Sequence, residues 1–222
     1  MALGRGASRP TVGLEAGAPP DAPRCPACGE PLFVWVETEG WGPREDQLID
    51  RCENCGLAAA RETAAAPEQA IAALIGRGNG GAEVAVRAGN GASLQAWLGA
   101  ENWAALRPGD RGLKPSPRAL ELLLGRRGLE VGRIRFAAAA GMASMWQTLL
   151  NLLTFHRDFA AEAIARRLRP QGAKERAAYA VDAVVTVLAA VPTAILAVLL
   201  EGGAILARRG GVVEVSARRA RG

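Results

Sequence analysis

Four cysteines, Cys25, Cys28, Cys52 and Cys55, are the residues whose type and spacing best suit chemistry, and they fall in two C-x-x-C-G units. Two thiolates on one tight turn can share a metal ion. The glycine after each pair (Gly29, Gly56) can take a positive φ, which turns backbone N–H groups toward the sulfurs. Two such turns place four soft ligands tetrahedrally, the arrangement Zn²⁺ prefers. A closed four-thiolate site has no open coordination position, so the zinc is expected to be structural. An iron–sulfur centre or a redox dithiol pair is the lesser alternative. Between the pairs, "LFVWVE" and "QLIDR" read as a hairpin turning near Trp41-Gly42-Pro43, which completes a zinc ribbon over residues 23–60. A ribbon of this size has little core, so metal binding should supply most of its folding free energy.

No other cysteine exists, and residues 1–22 carry no apolar stretch of the kind an export signal needs. Thiolate ligation then points to a reducing, cytoplasmic setting. Residues 1–22 are rich in Gly, Pro and Ala and are expected to be disordered. The net charge is +5, carried by 25 Arg and two Lys against 22 acidic residues. The basic residues do not alternate with aromatics and the ribbon hairpin is not basic, so nucleic acid is not an expected partner. The ribbon is expected to contact its own chain or a protein partner.

The elements that follow must position whatever else the chain does. "PEQAIAALI" (Pro67–Ile75) is a short helix with Pro in its first turn. "GRGNGG" (Gly76–Gly81) comes after a helix and before the strand "AEVAV" (Ala82–Val86), the reverse of the order a phosphate loop needs, and reads as a cap and turn. "RAGNGASLQAWLG" has the right order, strand then glycines then helix. It lacks the third glycine, so cofactor phosphate binding there is a minor reading. Ser116 caps the helix "PRALELLLGRRG", which Gly128 closes. "LEVGRIRF" alternates as a strand, Met142–Leu168 is an amphipathic helix in one or two pieces, and "GVVEVSARR" is a last strand. The only histidine, His156, sits among Phe155, Arg157 and Phe159 and reads as a helix-packing residue rather than a catalytic one. The body, residues 67–219, is therefore α/β, with a helical insertion over 142–207.

Within that insertion, Ala183–Leu200 is uncharged for 18 residues, the minimum for a spanning helix. Pro192 sits at its centre, Asp182 and Glu201 bracket it, and the Arg-rich flanks give no orientation. The first expectation is two short helices that pack as a hairpin on the sheet or dock a partner. Interfacial contact with a membrane surface through residues 183–206 comes second, and a true span third.

The body resembles the later half of class I S-adenosylmethionine-dependent methyltransferases. The segments that carry the resemblance are "SPRALELLLGRRGLEV", "MASMWQTLLNLLTF" and "GGVVEVSARR", with an apolar helical insertion before the last strand and a "CPxCG…CxxCGL" ribbon ahead of the body. The resemblance implies a partial Rossmann-like domain whose loop Gly89–Leu113 would face an acceptor substrate, with Asn90, Trp103 and Arg111 as candidate contacts. It also implies an absence. The first four strands, with the glycine loop and the acidic residue that hold the cofactor, have no counterpart between Cys55 and Pro67. Arg111 falls where the family has a histidine, and an always-charged guanidinium cannot act as a base. The expectation is a zinc-ribbon protein with a truncated, methyltransferase-like domain and no catalytic residue. The lone chain is not expected to bind S-adenosylmethionine; it would work through a protein partner, a homodimer or a membrane surface. The alternative is a subunit of a working methyltransferase completed by a second chain.

Overall fold

The computed structural model describes residues 22–38, 47–76, 83–107, 111–165, 168, 170 and 172–219. The expected disordered tail (all but its last residue), the Trp41-Gly42-Pro43 turn and most of "GRGNGG" lie outside the described residues.

Two three-stranded sheets form the frame. In the first, β1 (Phe33–Thr38) and β2 (Gln47–Arg51) pair antiparallel, and β3 (Ala58–Ala60) adds to β2 with Arg51 opposite Ala58 and Ile49 opposite Ala60. Three alanines carry no strand pattern of their own. What holds them extended is a second partner: Ala58 exchanges both backbone hydrogen bonds with Lys114, at 3.0 and 2.8 Å. Directly after β3 comes α1 (Arg61–Ala65), whose Arg61 grips the buried Asp50 of β2 with two bonds of 2.8 and 3.0 Å.

α2 (Glu68–Gly76) leads to the second sheet, made of β4 (Glu83–Gly89), β5 (Leu129–Phe136) and β6 (Val212–Arg219) in the order β4-β6-β5. β6 is antiparallel to both neighbours, so β4 and β5 run parallel to each other. Their connection climbs through α3 (Leu94–Gly99), a 3₁₀ turn at Ala100–Asn102 and α4 (Pro117–Gly125). Ser116 caps α4 by accepting from the Ala119 N–H, as its type anticipates; the helix stops at Gly125, three residues before the expected Gly128, which with a φ of 69° completes the turn into β5. Every second residue of β6 (Val213, Val215, Ala217) is buried.

The ribbon and the second sheet share one core. Cys52, Leu57 and Ala59 pack in the same cluster as Val86, Leu120, Leu124, Val213 and Val215. The ribbon is thus joined to its own chain, one of the two contacts anticipated for it. Gly91 fixes the junction: a Cβ there would lie 2.5 Å from the Lys114 carbonyl oxygen and 2.7 Å from that of Gly56. The second glycine of "GNG" therefore serves packing between ribbon and body.

α5 (Ala138–Asn151) and α6 (Phe159–Ile164) precede α7 (Gly172–Leu206). The expected hairpin of two short helices is instead one helix of 35 residues that runs through Pro192. Proline removes the donor for the Leu188 carbonyl and crowds it. The helix continues because its neighbours are held from the side: the Thr193 hydroxyl donates to the Ala189 carbonyl at 2.6 Å, and the Trp146 indole of α5 donates to the Ala190 carbonyl at 3.0 Å.

Candidate functional site

The sulfurs of Cys25, Cys28, Cys52 and Cys55 all lie within 4.8 Å of one another, and three of the four residues are buried. Cys25 and Cys55 Sγ are 3.5 Å apart, Cys28 and Cys52 Sγ 3.4 Å. Four ligands at zinc–sulfur distances of about 2.3 Å would stand about 3.8 Å from each other, so the cluster closes on an ion of that size with little movement. Gly29 and Gly56 have φ of 85° and 72°, and each donates its N–H to the first cysteine carbonyl of its pair, at 2.8 and 2.9 Å. These are the two turns that the C-x-x-C-G spacing anticipates.

The electrostatics call for a cation. A hydrogen bond from Cys55, helped by the N–H groups of Cys28 and Ala27, pulls the Cys25 thiol down to about 5 against the cost of burial. Cys55 is pushed up by that same partner and by burial, and burial pushes Cys52 up to about 11. One thiolate forms readily and the next ones are opposed; a divalent ion removes the opposition. The four cysteines thus form a cluster that fits a structural metal site.

Asn90 and Trp103 are placed in the interior. The Asn90 amide donates to the Gly210 carbonyl at 2.8 Å, and its oxygen accepts from the Ala92 N–H at 3.0 Å, which ties the end of β4 to the start of β6. Trp103 is fully buried and packs edge-on against Trp35 of the ribbon, ring centres 6.2 Å apart. Arg111 is exposed and pairs with Glu62 at 3.3 Å. Of the three residues, Arg111 alone lines the cavity between α2 and the end of β4. His156 is buried, and its ring Nδ1 lies 2.5 Å from Asp182 Oδ2. Asp182 also accepts the backbone N–H groups of Phe155 and His156, at 2.8 and 2.9 Å. The histidine is a packing residue that fastens α7.

A second feature comes from the orientation of α7. Asp182 and Glu201, the two acids that bracket the apolar run, are both fully buried. Glu201 accepts from the Gly211 N–H and from the Gln95 amide, each at 2.7 Å. With the polar residues turned inward, the aliphatic ones face out: Val187 is 76% exposed, Leu188 72%, Val191 68% and Leu199 67%. Only 11% of the most apolar 18-residue window is buried, and the helix is long and apolar enough to cross a membrane. Sequence periodicity missed this face, because a run with Val, Leu or Ala at nearly every position does not say which side is in.

No known family, characterised protein or solved structure matches this chain.

Proposed function

We propose that this chain is a non-catalytic attachment module: a zinc-clamped head fused to a short α/β sheet, which docks on an anionic membrane surface through the outward face of α7. The observation that carries the reading is the inversion of α7, with carboxylates buried and aliphatics exposed over a window about 27 Å long. Burying such a face in the lipid interface removes its apolar area from water. Both ends of the face carry a net positive charge, from Lys174 and Arg176 with Glu175 between them before it and from Arg208 and Arg209 after it, all exposed. Anionic headgroups complement both ends. A second copy of α7 is a poorer complement in either direction, since each pairing sets one net-positive end against another. Lying in the plane is favoured over spanning. Asp182, Trp146 and Glu201 fasten the helix along its length to the same body, so a span would drag α5 into the bilayer. Zinc is the proposed ion, and its thiolate ligands suit the reducing cytoplasmic side.

The test is co-sedimentation of the full chain with vesicles of rising anionic lipid content. Binding that grows with anionic lipid is expected. A stable dimer by light scattering that ignores vesicles would replace the membrane with a second copy.

A subunit of an S-adenosylmethionine-dependent methyltransferase remains the second reading. What supports it is the sheet: two parallel strands joined by a helical crossover, with the last strand between them and β4 at an edge. That is the arrangement expected of the distal part of a larger α/β sheet whose remaining strands come from another chain. Micromolar binding of S-adenosylmethionine by the isolated chain, measured by calorimetry, would overturn the non-catalytic reading.

A further inference from the structure

The two edges of the second sheet are unlike. At one edge β5 meets β6 with a register shift between Val131 and Arg133, an irregularity of the kind that blunts an edge. At the other edge β4 meets β6 without a shift over the whole of Glu83–Gly89. Asn90 donates its N–H to the Gly211 carbonyl at 2.9 Å, one step beyond the Gly89–Val212 pair. Hydrogen-bonded positions alternate along an antiparallel ladder. Val84, Val86 and Ala88 therefore bond to β6, while the N–H and C=O groups of Glu83, Ala85, Arg87 and Gly89 point away from it. Among the described residues, none of these outward groups has a backbone partner.

The outer face of this sheet is ruled in rows. Arg87, Glu214 and Arg135 stand side by side across β4, β6 and β5, and Glu214 pairs with both arginines, at 2.8 and 2.7 Å. Further along β6 the signs reverse, with Glu83, Arg218 and Glu130 in one row. Ala85, Ser216 and Arg133 make the row between them. An antiparallel second copy of β4, with Ala85 opposite Ala85, places its Glu83 opposite Arg87 and its Arg87 opposite Glu83. The row Arg135-Glu214-Arg87 then runs on into Glu83-Arg218-Glu130 of the second copy, and the signs alternate throughout. On the core face the same register places Val84 opposite Val86, a pair of β-branched residues suited to a strand. Sliding the copies one way sets Arg87 first against Ala85 and then against itself; sliding them the other way sets Glu83 against itself.

We propose that the chain forms a two-fold dimer by pairing β4 with β4 of a second copy, which joins the two sheets in the order β5-β6-β4-β4-β6-β5. Backbone hydrogen bonds and the valine pairs hold the strands together, and the charges choose the register. The interface uses no residue of α7 or of the metal cluster, so it does not depend on the membrane reading.

Sedimentation velocity of the full chain over a concentration series, without lipid, is the test, and a concentration-dependent dimer is expected. Arg87→Glu sets a glutamate against Glu83, and Glu83→Arg sets an arginine against Arg87. Each variant alone should dimerise about tenfold more weakly than the unaltered chain. An equimolar mixture of the two places glutamates on one copy opposite arginines on the other and should recover the dimer. In the unaltered chain, amide exchange at Ala85 and Arg87 should slow as the concentration rises; this measurement decides the matter if either variant proves unstable. A chain that stays monomeric at millimolar concentration, a dimer indifferent to both variants, or a mixture no better than its components would overturn the assignment. So would a dimer lost in Val187→Glu/Leu199→Glu but kept in the strand variants, which would put the second copy on α7.

Discussion

α4 and α7 are both rich in aliphatic residues, yet they sit opposite ways round. α4 turns Ala119, Leu120, Leu123 and Leu124 into the core and leaves Arg118 and Glu121 outside. α7 turns Asp182, Thr193, Ala197, Glu201 and Ala204 inward and leaves Val187, Leu188, Val191 and Leu199 outside. The first helix is held by apolar burial. The second is held by hydrogen bonds to two buried carboxylates and by small residues that let it approach α5. A helix attached that way leaves its apolar side uncovered, and that is the physical basis for the proposed docking face.

The comparison can be broken at several points, and the metal site should give the largest effect. The ribbon cysteines share a core with Leu120 and Val213, so metal removal should destabilise the sheet as well as the ribbon. Chelation, or Cys52→Ser, is expected to cost several kcal/mol out of the roughly 10–16 kcal/mol that structural zinc can contribute. Calorimetric unfolding with and without chelator checks this; a ribbon that melts alone while the sheet transition stays put would separate the two. Acid should act in the same direction. Burial and neighbouring thiols hold protons on Cys52 and Cys55, while Cys25 loses its proton at about 5. Metal uptake must displace protons, so affinity should fall as pH is lowered from neutrality toward 5, read as release to a coloured chelator.

Within α4, Leu120→Ala empties a fully buried position and should cost about 2–5 kcal/mol by denaturant unfolding. In α7 the sensitive residues are the acids. Glu201→Ala leaves the Gly211 N–H without its acceptor and the Gln95 amide with the Gly141 carbonyl alone, and Asp182→Ala leaves the N–H groups of Phe155 and His156 without theirs. Each should cost about 1–3 kcal/mol, with faster hydrogen exchange at the corresponding end of α7. The smallest effect belongs to the aliphatics. Val187→Ser or Leu199→Ser, at positions 76% and 67% exposed, should change stability by no more than about 0.5 kcal/mol. An equivalent Leu-to-Ser change in α4 should be strongly destabilising. If the outward residues of α7 prove as sensitive as Leu120, the two helices are alike and the contrast fails.

Local signals made part of this legible. The C-x-x-C-G turns, the Ser116 cap and the strand Leu129–Phe136 are each decided within a few residues, and the structure places them where the chain indicates. What was hidden depends on distant partners. β3 is extended because β2 on one side and Lys114 on the other bond to it. Pro192 reads as a break because its local chemistry is that of a break, and the indole and hydroxyl that hold the adjacent carbonyls cannot be placed from the run itself. Asp182 and Glu201 look like the polar ends of an apolar segment until their partners at Phe155 and Gly211 are known.

Flotation of the full chain on vesicles of mixed neutral and anionic lipid tests the outward face of α7 most directly. The chain should rise with the vesicles, and a Val187→Glu/Leu199→Glu variant should remain in the dense fraction while keeping its melting temperature. A chain that stays with the buffer, or a double-glutamate variant that still floats, would contradict the assignment of that face to a lipid surface.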